Sequence, residues 1–192
     1  MILTHKDLKA EIEISEEQIN IWVIESKQLL GNFIKELMEQ SRGDDGGFVL
    51  YEDKEILRLK DHIDIISDYF NISFNSKKIQ SRMLKVLTKY AEDDLFQSTI
   101  DLKGHLQQYF ENLLDAADLD IEYDDTMDMT DILKLYDISI NESYGSILEA
   151  IINYLKICTR IFEKQCFVFV NLSFYMNRED LMEVYKFIQY EK

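Results

Sequence analysis

The residues whose types and spacing could do chemistry are carboxylates, concentrated in one stretch. Asp118, Asp120, Glu122 and Asp124 alternate with Leu119, Ile121 and Tyr123, and Asp125, Asp128 and Asp131 follow. On an extended chain the four alternate carboxylates share one face, about 6 to 7 Å apart from one to the next. Like charges that close repel unless they are solvated, protonated or neutralised by a cation. A hard cation with oxygen ligands suits such a cluster, calcium before magnesium. The spacing is not that of an EF-hand, because counting from Asp118 the sixth position is Tyr123 instead of Gly and the twelfth is Met129 instead of Glu. A solvated acidic connector is the alternative, and spacing alone leaves both open.

The second set is basic. Lys78, Arg82, Lys85 and Lys89 step by four, three and four residues, which stacks them along one side of a helix opposite Ile79, Met83 and Leu87. Between Lys77 and Lys89 there are five basic residues and no acidic one. A shorter series, Lys156, Arg160 and Lys164, leads into an apolar run. Each series reads either as the wet side of an amphipathic helix or as a ridge for phosphates. The net charge of −16 argues against nucleic acid when taken as a total, but the charges are segregated. From Gly104 to Leu133 there are nine Asp and Glu and no Lys or Arg.

Other chemistries lack their residues. Phosphate-loop nucleotide hydrolysis needs a glycine-rich loop closed by Lys and Ser or Thr. The one glycine-rich turn, Gly43-Asp44-Asp45-Gly46-Gly47, carries two aspartates and no such pair. His5, His62 and His105 have no Cys or His at metal-ligand spacing, and no nucleophile elbow occurs, so no enzyme activity is expected. Cys158 and Cys166 lie in apolar patterns and read as buried free thiols of a reducing compartment. The first residues lack the order of a signal peptide and no run approaches a membrane span, so a cytoplasmic protein is expected.

The elements that must position these residues follow from hydrophobic period. Cys166–Leu172 is short, uncharged and rich in β-branched and aromatic residues, the pattern of a central strand buried on both faces. Helical patterns flank it at about 145–164 and 177–190, which together describe an α/β layer. Strands are expected near 11–14, 19–24, 48–51, 56–59 and 137–140. Helices are expected from Ser26 to about Gln40, from Asp61 to about Phe70 carrying Ile63 and Ile66, and over 129–136. Two long amphipathic helices in succession, at about 76–91 and 95–117, have no strand between them, and Gly104 offers a bend in the second. The expected organisation is an α/β head at 1–75 and 132–192, with a helical lobe and its acidic connector inserted at 76–131.

Asp118-Leu119-Asp120-Ile121-Glu122-Tyr123-Asp124-Asp125, followed about forty residues later by Phe167-Val168-Phe169-Val170-Asn171, resembles the CRISPR adaptation protein family specific to type II-A systems. Weaker similarity covers Trp22-Val23-Ile24-Glu25 and its helix, Phe48-Val49-Leu50-Tyr51, and Asp137–Ile140. The resemblance implies an α/β head with a sheet like that of phosphate-loop ATPases but without their nucleotide machinery, and an α-helical leg. It implies a non-catalytic homotetrameric ring whose basic hole threads double-stranded DNA ends during spacer acquisition in antiviral defence. The partners so implied are the CRISPR integrase pair and the RNA-guided effector nuclease. Calcium would stabilise the ring, and by position Asp118, Asp120, Glu122 and Asp124 become its ligands. The hole-lining residues do not carry over one by one, so Lys78, Arg82, Lys85, Lys89, Lys156, Arg160 and Lys164 rest on clustering. In that family the chain continues past the last helix into a further buried strand, whereas this sequence ends at Glu191-Lys192. Two other readings stand beside this one. One is an acidic protein-interaction scaffold without DNA binding, the other a degenerate nucleotide-binding enzyme.

Overall fold

A helix that starts on a serine and stops on a glycine anchors the amino-terminal part of the chain. Helix α1 (Lys27–Arg42) is capped by Ser26, whose hydroxyl accepts from the Leu29 N–H. Gly43 ends it in the left-handed region, φ 109°, with its N–H on Gln40 O and the Asp44 N–H on Glu39 O. That pair of bonds is the Schellman arrangement, which glycine alone adopts without steric cost. The computed structural model that shows this describes residues 1–15, 18–117, 126, 128–162 and 166–190. The chain divides into two compact units, one of Met1–Ser73 with Ser143–Lys192 and one of Phe74–Glu142.

In the first unit, α1 lies over a four-stranded antiparallel sheet of order β2-β1-β3-β4. Its strands are β1 (Ile2–Thr4), β2 (Ile12–Glu13), β3 (Val49–Glu52) and β4 (Glu55–Leu57). The β3–β4 turn uses two residues of positive φ, Asp53 at 49° and Lys54 at 72°, the backbone that matches the twist of a tight hairpin. Leu3, Phe33, Leu37, Phe48, Leu50, Leu59 and Ile63 form the core of this layer. A short helix, α2 (Leu59–His62), leads directly into β5 (Ile63–Ile66).

β5 corrects the helix expected at 61–70. Ile63, Ile66 and Phe70 fit a helical spacing, yet Ile63-Asp64-Ile65-Ile66 pairs in parallel with β6 (Cys166–Phe169), residue 63 opposite residue 166. The partner strand lies about a hundred residues away, so local period could not reveal the pairing. β6 itself differs from the expected central strand: all four of its residues are half-buried, and β5 is its one partner among the described residues. It ends at Phe169, after which Asn171 turns left-handed at φ 55° into a 3₁₀ turn, Leu172–Phe174. Helix α6 (Ile147–Ile161) buries Ala150, Ile151, Tyr154, Leu155, Cys158 and Ile161, and α7 (Arg178–Tyr190) packs on it. Ser146 caps α6, and Glu149 reaches back to the Gly145 N–H at 2.7 Å.

Two expected strands are absent as strands. At 18–26 the chain has no ladder, although Trp22 and Ile24 still pack on the core while Ile21 and Val23 face out. At 137–140 the chain leaves a left-handed Asp137, φ 48°, and Ile140 bonds to the Asn75 side chain instead of to a strand.

The second unit holds α3 (Lys77–Glu92), α4 (Phe96–Ala117) and α5 (Met129–Leu135). Ser76 caps α3, and Ile79, Met83 and Ala91 are its buried residues. The Thr99 hydroxyl on α4 donates to Ala91 O at 2.7 Å, and Thr88 and Thr130 share a hydrogen bond of 3.0 Å between α3 and α5. α5 and the chain after it, to Glu142, belong to this unit, past the boundary at 131 expected from sequence. Gly104 sits within one continuous helix with no neighbouring heavy atom where a Cβ would lie. No helix among the described residues is long and apolar enough to cross a membrane.

Candidate nucleic-acid interface

The regular period of α3 puts the basic series on a single ridge. Ile79 and Met83 turn inward and are buried, so residues one position before or two after them turn outward. Lys78, Lys85 and Lys89 are exposed and Arg82 is half-buried. α3 starts on an uncharged cap and has no acidic residue in its first turn, and Glu92 is the first carboxylate of the helix. A row of ammonium and guanidinium groups at this spacing can neutralise successive phosphates of a nucleic-acid strand without reading bases.

The second series behaves differently. Arg160 is exposed, but Lys156 is half-buried and its Nζ lies 5.5 Å over the centre of the Phe187 ring on α7. That cation–π contact holds the ammonium against the first unit's own helix. Lys164 lies outside the described residues, as do Asp118, Asp120, Glu122 and Asp124. The two basic series belong to different units.

The tail of the acidic stretch is occupied structurally. Asp128 caps α5, accepting from the Thr130 N–H at 2.8 Å, and these bonds from Thr130 hold its carboxyl below the ordinary range. Asp131 pairs with Lys134 at 3.0 Å one helical turn on. Among the described residues no group of three or more His, Cys, Asp and Glu side chains is placed to hold a metal ion.

The glycine-rich turn is likewise absorbed by packing. Gly43 ends α1, and a Cβ on Gly47 would lie 2.6 Å from His5 Nε2 and 2.8 Å from Glu36 Oε1. The Gln40 amide donates to Phe48 O at 2.9 Å and accepts from the Phe48 N–H at 3.0 Å, while Glu36 accepts from the Gly47 N–H. The loop therefore wraps side chains of its own helix. His5 is buried against Phe33 and Phe48. Its Nδ1 accepts from the Asp7 N–H at 3.1 Å, which places the ring proton on Nε2, 3.2 Å from Glu36 Oε2.

One polar pair in the first unit carries no sequence signal. The Tyr154 hydroxyl on α6 donates to Asp64 Oδ2 on β5, and burial, then the Asp64 charge, pushes the phenol above its ordinary range. It joins two elements remote in the chain.

A family model described as CRISPR-associated protein (Cas_Csn2) matches residues 40–192. No curated protein matches the chain.

Proposed function

The chain belongs to the CRISPR-associated Cas_Csn2 family, and from that membership we propose that it is a non-catalytic binder of double-stranded DNA ends acting in spacer acquisition. The observation that carries this reading is the basic ridge of α3, four cationic side chains on one outward face of a protein whose net charge is −16. Concentrating positive charge on one face lets an acidic protein hold phosphates there while the rest of its surface repels them.

The reading includes a homotetrameric ring with a basic hole, on an α/β head of phosphate-loop-ATPase type. On α4, Leu102, Leu106, Tyr109, Phe110 and Leu113 recur at helical spacing, yet Thr99 is the one buried residue of that helix. An apolar stripe of this width is an expected contact between copies of the chain. Calcium held by Asp118, Asp120, Glu122 and Asp124 would stabilise the assembly by offsetting their mutual repulsion. The integrase pair and the RNA-guided nuclease are the expected partners.

The test is a gel shift with linear and covalently closed circular duplexes of one sequence, in calcium and then in chelator. Binding to the linear form in calcium, with loss in chelator, is expected. Equal binding to both forms, or to neither, would overturn the ring. The net charge also favours a second reading, an acidic scaffold for a basic protein, for which a monomeric or dimeric mass and no DNA affinity at any calcium level is expected.

A further inference from the structure

Where β5 and β6 end, two aromatic side chains meet in the open. Phe70, 67 % exposed, follows β5, and Tyr175, 47 % exposed, follows β6. Their rings stand edge to face with centroids 5.7 Å apart, and the neighbouring Phe174 is 87 % exposed. Large apolar side chains are rarely left together at the surface without a use.

The step is held from below. The buried Tyr69 packs on Tyr175 with ring centroids 5.3 Å apart and planes tilted by 50°, and it donates its hydroxyl to Val170 O at 2.9 Å, while the Val170 N–H bonds Ile66 O at 2.9 Å. Both loops are thus tied to the parallel pair, so a ligand meets an ordered surface and little conformational freedom is lost on binding. The open end of parallel strands is also where α/β sheets present side chains to ligands.

The charge beside the rings selects the ligand. Residues 67–73 and 170–177 carry a single charged side chain, Asp68. Its Oδ1 accepts from the Phe70 N–H at 3.1 Å and its Oδ2 from Asn71 Nδ2 at 2.7 Å. The bond from Asn71, then that from Phe70, lowers its pKa, so it stays ionised. Glu179 and Asp180 follow in the first turn of α7, with Arg178 as the one cation. Ring faces beside a fixed carboxylate attract a guanidinium or ammonium group and repel phosphate.

We propose that the Phe70–Tyr175 step is a docking surface for an arginine-bearing segment of a protein partner, with the guanidinium against the rings and Asp68 as its counter-ion. Arginine suits it better than lysine because its planar group stacks on a ring while donating to the carboxylate. The surface is separate from the α3 ridge in residues and in ligand, so the proposal does not rest on DNA binding.

The test uses the full chain labelled with meta-fluorotyrosine, the Tyr175 resonance being assigned by Tyr175→Phe. The probes are the peptide acetyl-Gly-Arg-Gly-Arg-Gly-amide, the same peptide with Gln for Arg, and a duplex oligonucleotide. The Tyr175 signal is expected to move saturably with the arginine peptide and not with the other two probes. Phe70→Ala and Asp68→Asn, both at exposed positions, should each weaken that response about three- to tenfold. A Tyr175 signal indifferent to the arginine peptide, or an undiminished response in Asp68→Asn, would overturn the proposal. So would a signal that follows the oligonucleotide, which would make the step a base-stacking surface. One that changes with protein concentration alone would overturn it too, making the step an interface between copies.

Discussion

The Asn75 side-chain amide and the Ile140 main chain exchange two hydrogen bonds, Nδ2 to the Ile140 carbonyl at 2.9 Å and the Ile140 N–H to Oδ1 at 2.8 Å. Beside them one oxygen of Glu142 accepts from the N–H groups of Phe74 and Asn75, at 2.8 and 3.0 Å. These bonds close the base of the Phe74–Glu142 unit with side chains where a strand pair would have used main chain. Asn75→Ala removes the amide's donor and acceptor, and the loss is expected to cost about 1 to 3 kcal/mol. Urea denaturation measures the cost, and hydrogen exchange at the Ile140 amide should quicken more than at buried positions of α6. Unchanged exchange there would mean that water replaces the amide without penalty.

Gln40 plays the same part for Phe48 in the other unit, and there glycine makes room for the side chains around it. A Cβ on Gly46 would fall 2.5 Å from Gln40 Cδ, and one on Gly47 would meet His5 and Glu36. Gly47→Ala is expected to destabilise by about 1 to 3 kcal/mol through overpacking. Gly104→Ala, where a Cβ has open space in a helix, should instead stabilise by up to about 1 kcal/mol. A matched pair of melting curves checks both signs.

The helices were legible because their information is local. Ser26, Ser76 and Ser146 each accept from the N–H three residues on, and the apolar period that follows each serine marks the buried face. What failed was non-local. Ile63–Ile66 became a strand because Cys166–Phe169 lies beside it, and no window around Ile63 contains that fact. β1 is three residues long and was invisible for the same reason. The site divides the same way: the α3 ridge is one helix and could be read from spacing, whereas Phe70 meets Tyr175 only through the pairing of β5 with β6.

Burial of titratable groups sets an alkaline limit. Cys166 is pushed up to about 11 by burial, and Tyr154 and Tyr69 are raised chiefly by burial too. The native state then holds protons that the unfolded chain releases, the thiol from about pH 9 and the phenols from about pH 10. Stability should be intact below these values and fall as pH rises, each group adding a slope of up to about 1.4 kcal/mol per pH unit. Urea midpoints between about pH 8 and 11 should fall less steeply in Cys166→Ala than in the parent chain. Parallel slopes would show that the thiol titrates alike in both states.

The acidic segment predicts a difference between buffers. If Asp120 and Glu122 hold calcium, replacing both by Ala removes binding free energy that the folded state enjoys only when the ion is present. Saturation at a hundredfold excess over the dissociation constant stabilises by about 2.7 kcal/mol. The double variant Asp120→Ala, Glu122→Ala should therefore melt lower than the parent in calcium and alongside it, or higher through relieved repulsion, in chelator. An equal loss in both buffers would make the two carboxylates structural and remove calcium from the proposed function.

The α3 ridge is tested by salt as much as by affinity. A lysine that neutralises one phosphate releases about 0.9 counterions, so removing one such lysine should lower the slope of log affinity against log salt by about that amount. Lys85→Ala and Lys89→Ala, both on the exposed side of α3, should each weaken duplex binding whatever its sequence, with stability within about 0.5 kcal/mol of the parent. Lys156→Ala separates a phosphate contact from a structural one, because its ammonium already lies over Phe187. That variant is expected to lose about 0.5 to 1 kcal/mol of stability and to keep the salt slope. If Lys156→Ala lowers the slope while Lys85→Ala and Lys89→Ala leave it unchanged, the DNA path runs along α6 and the α3 ridge is a solvated helix face.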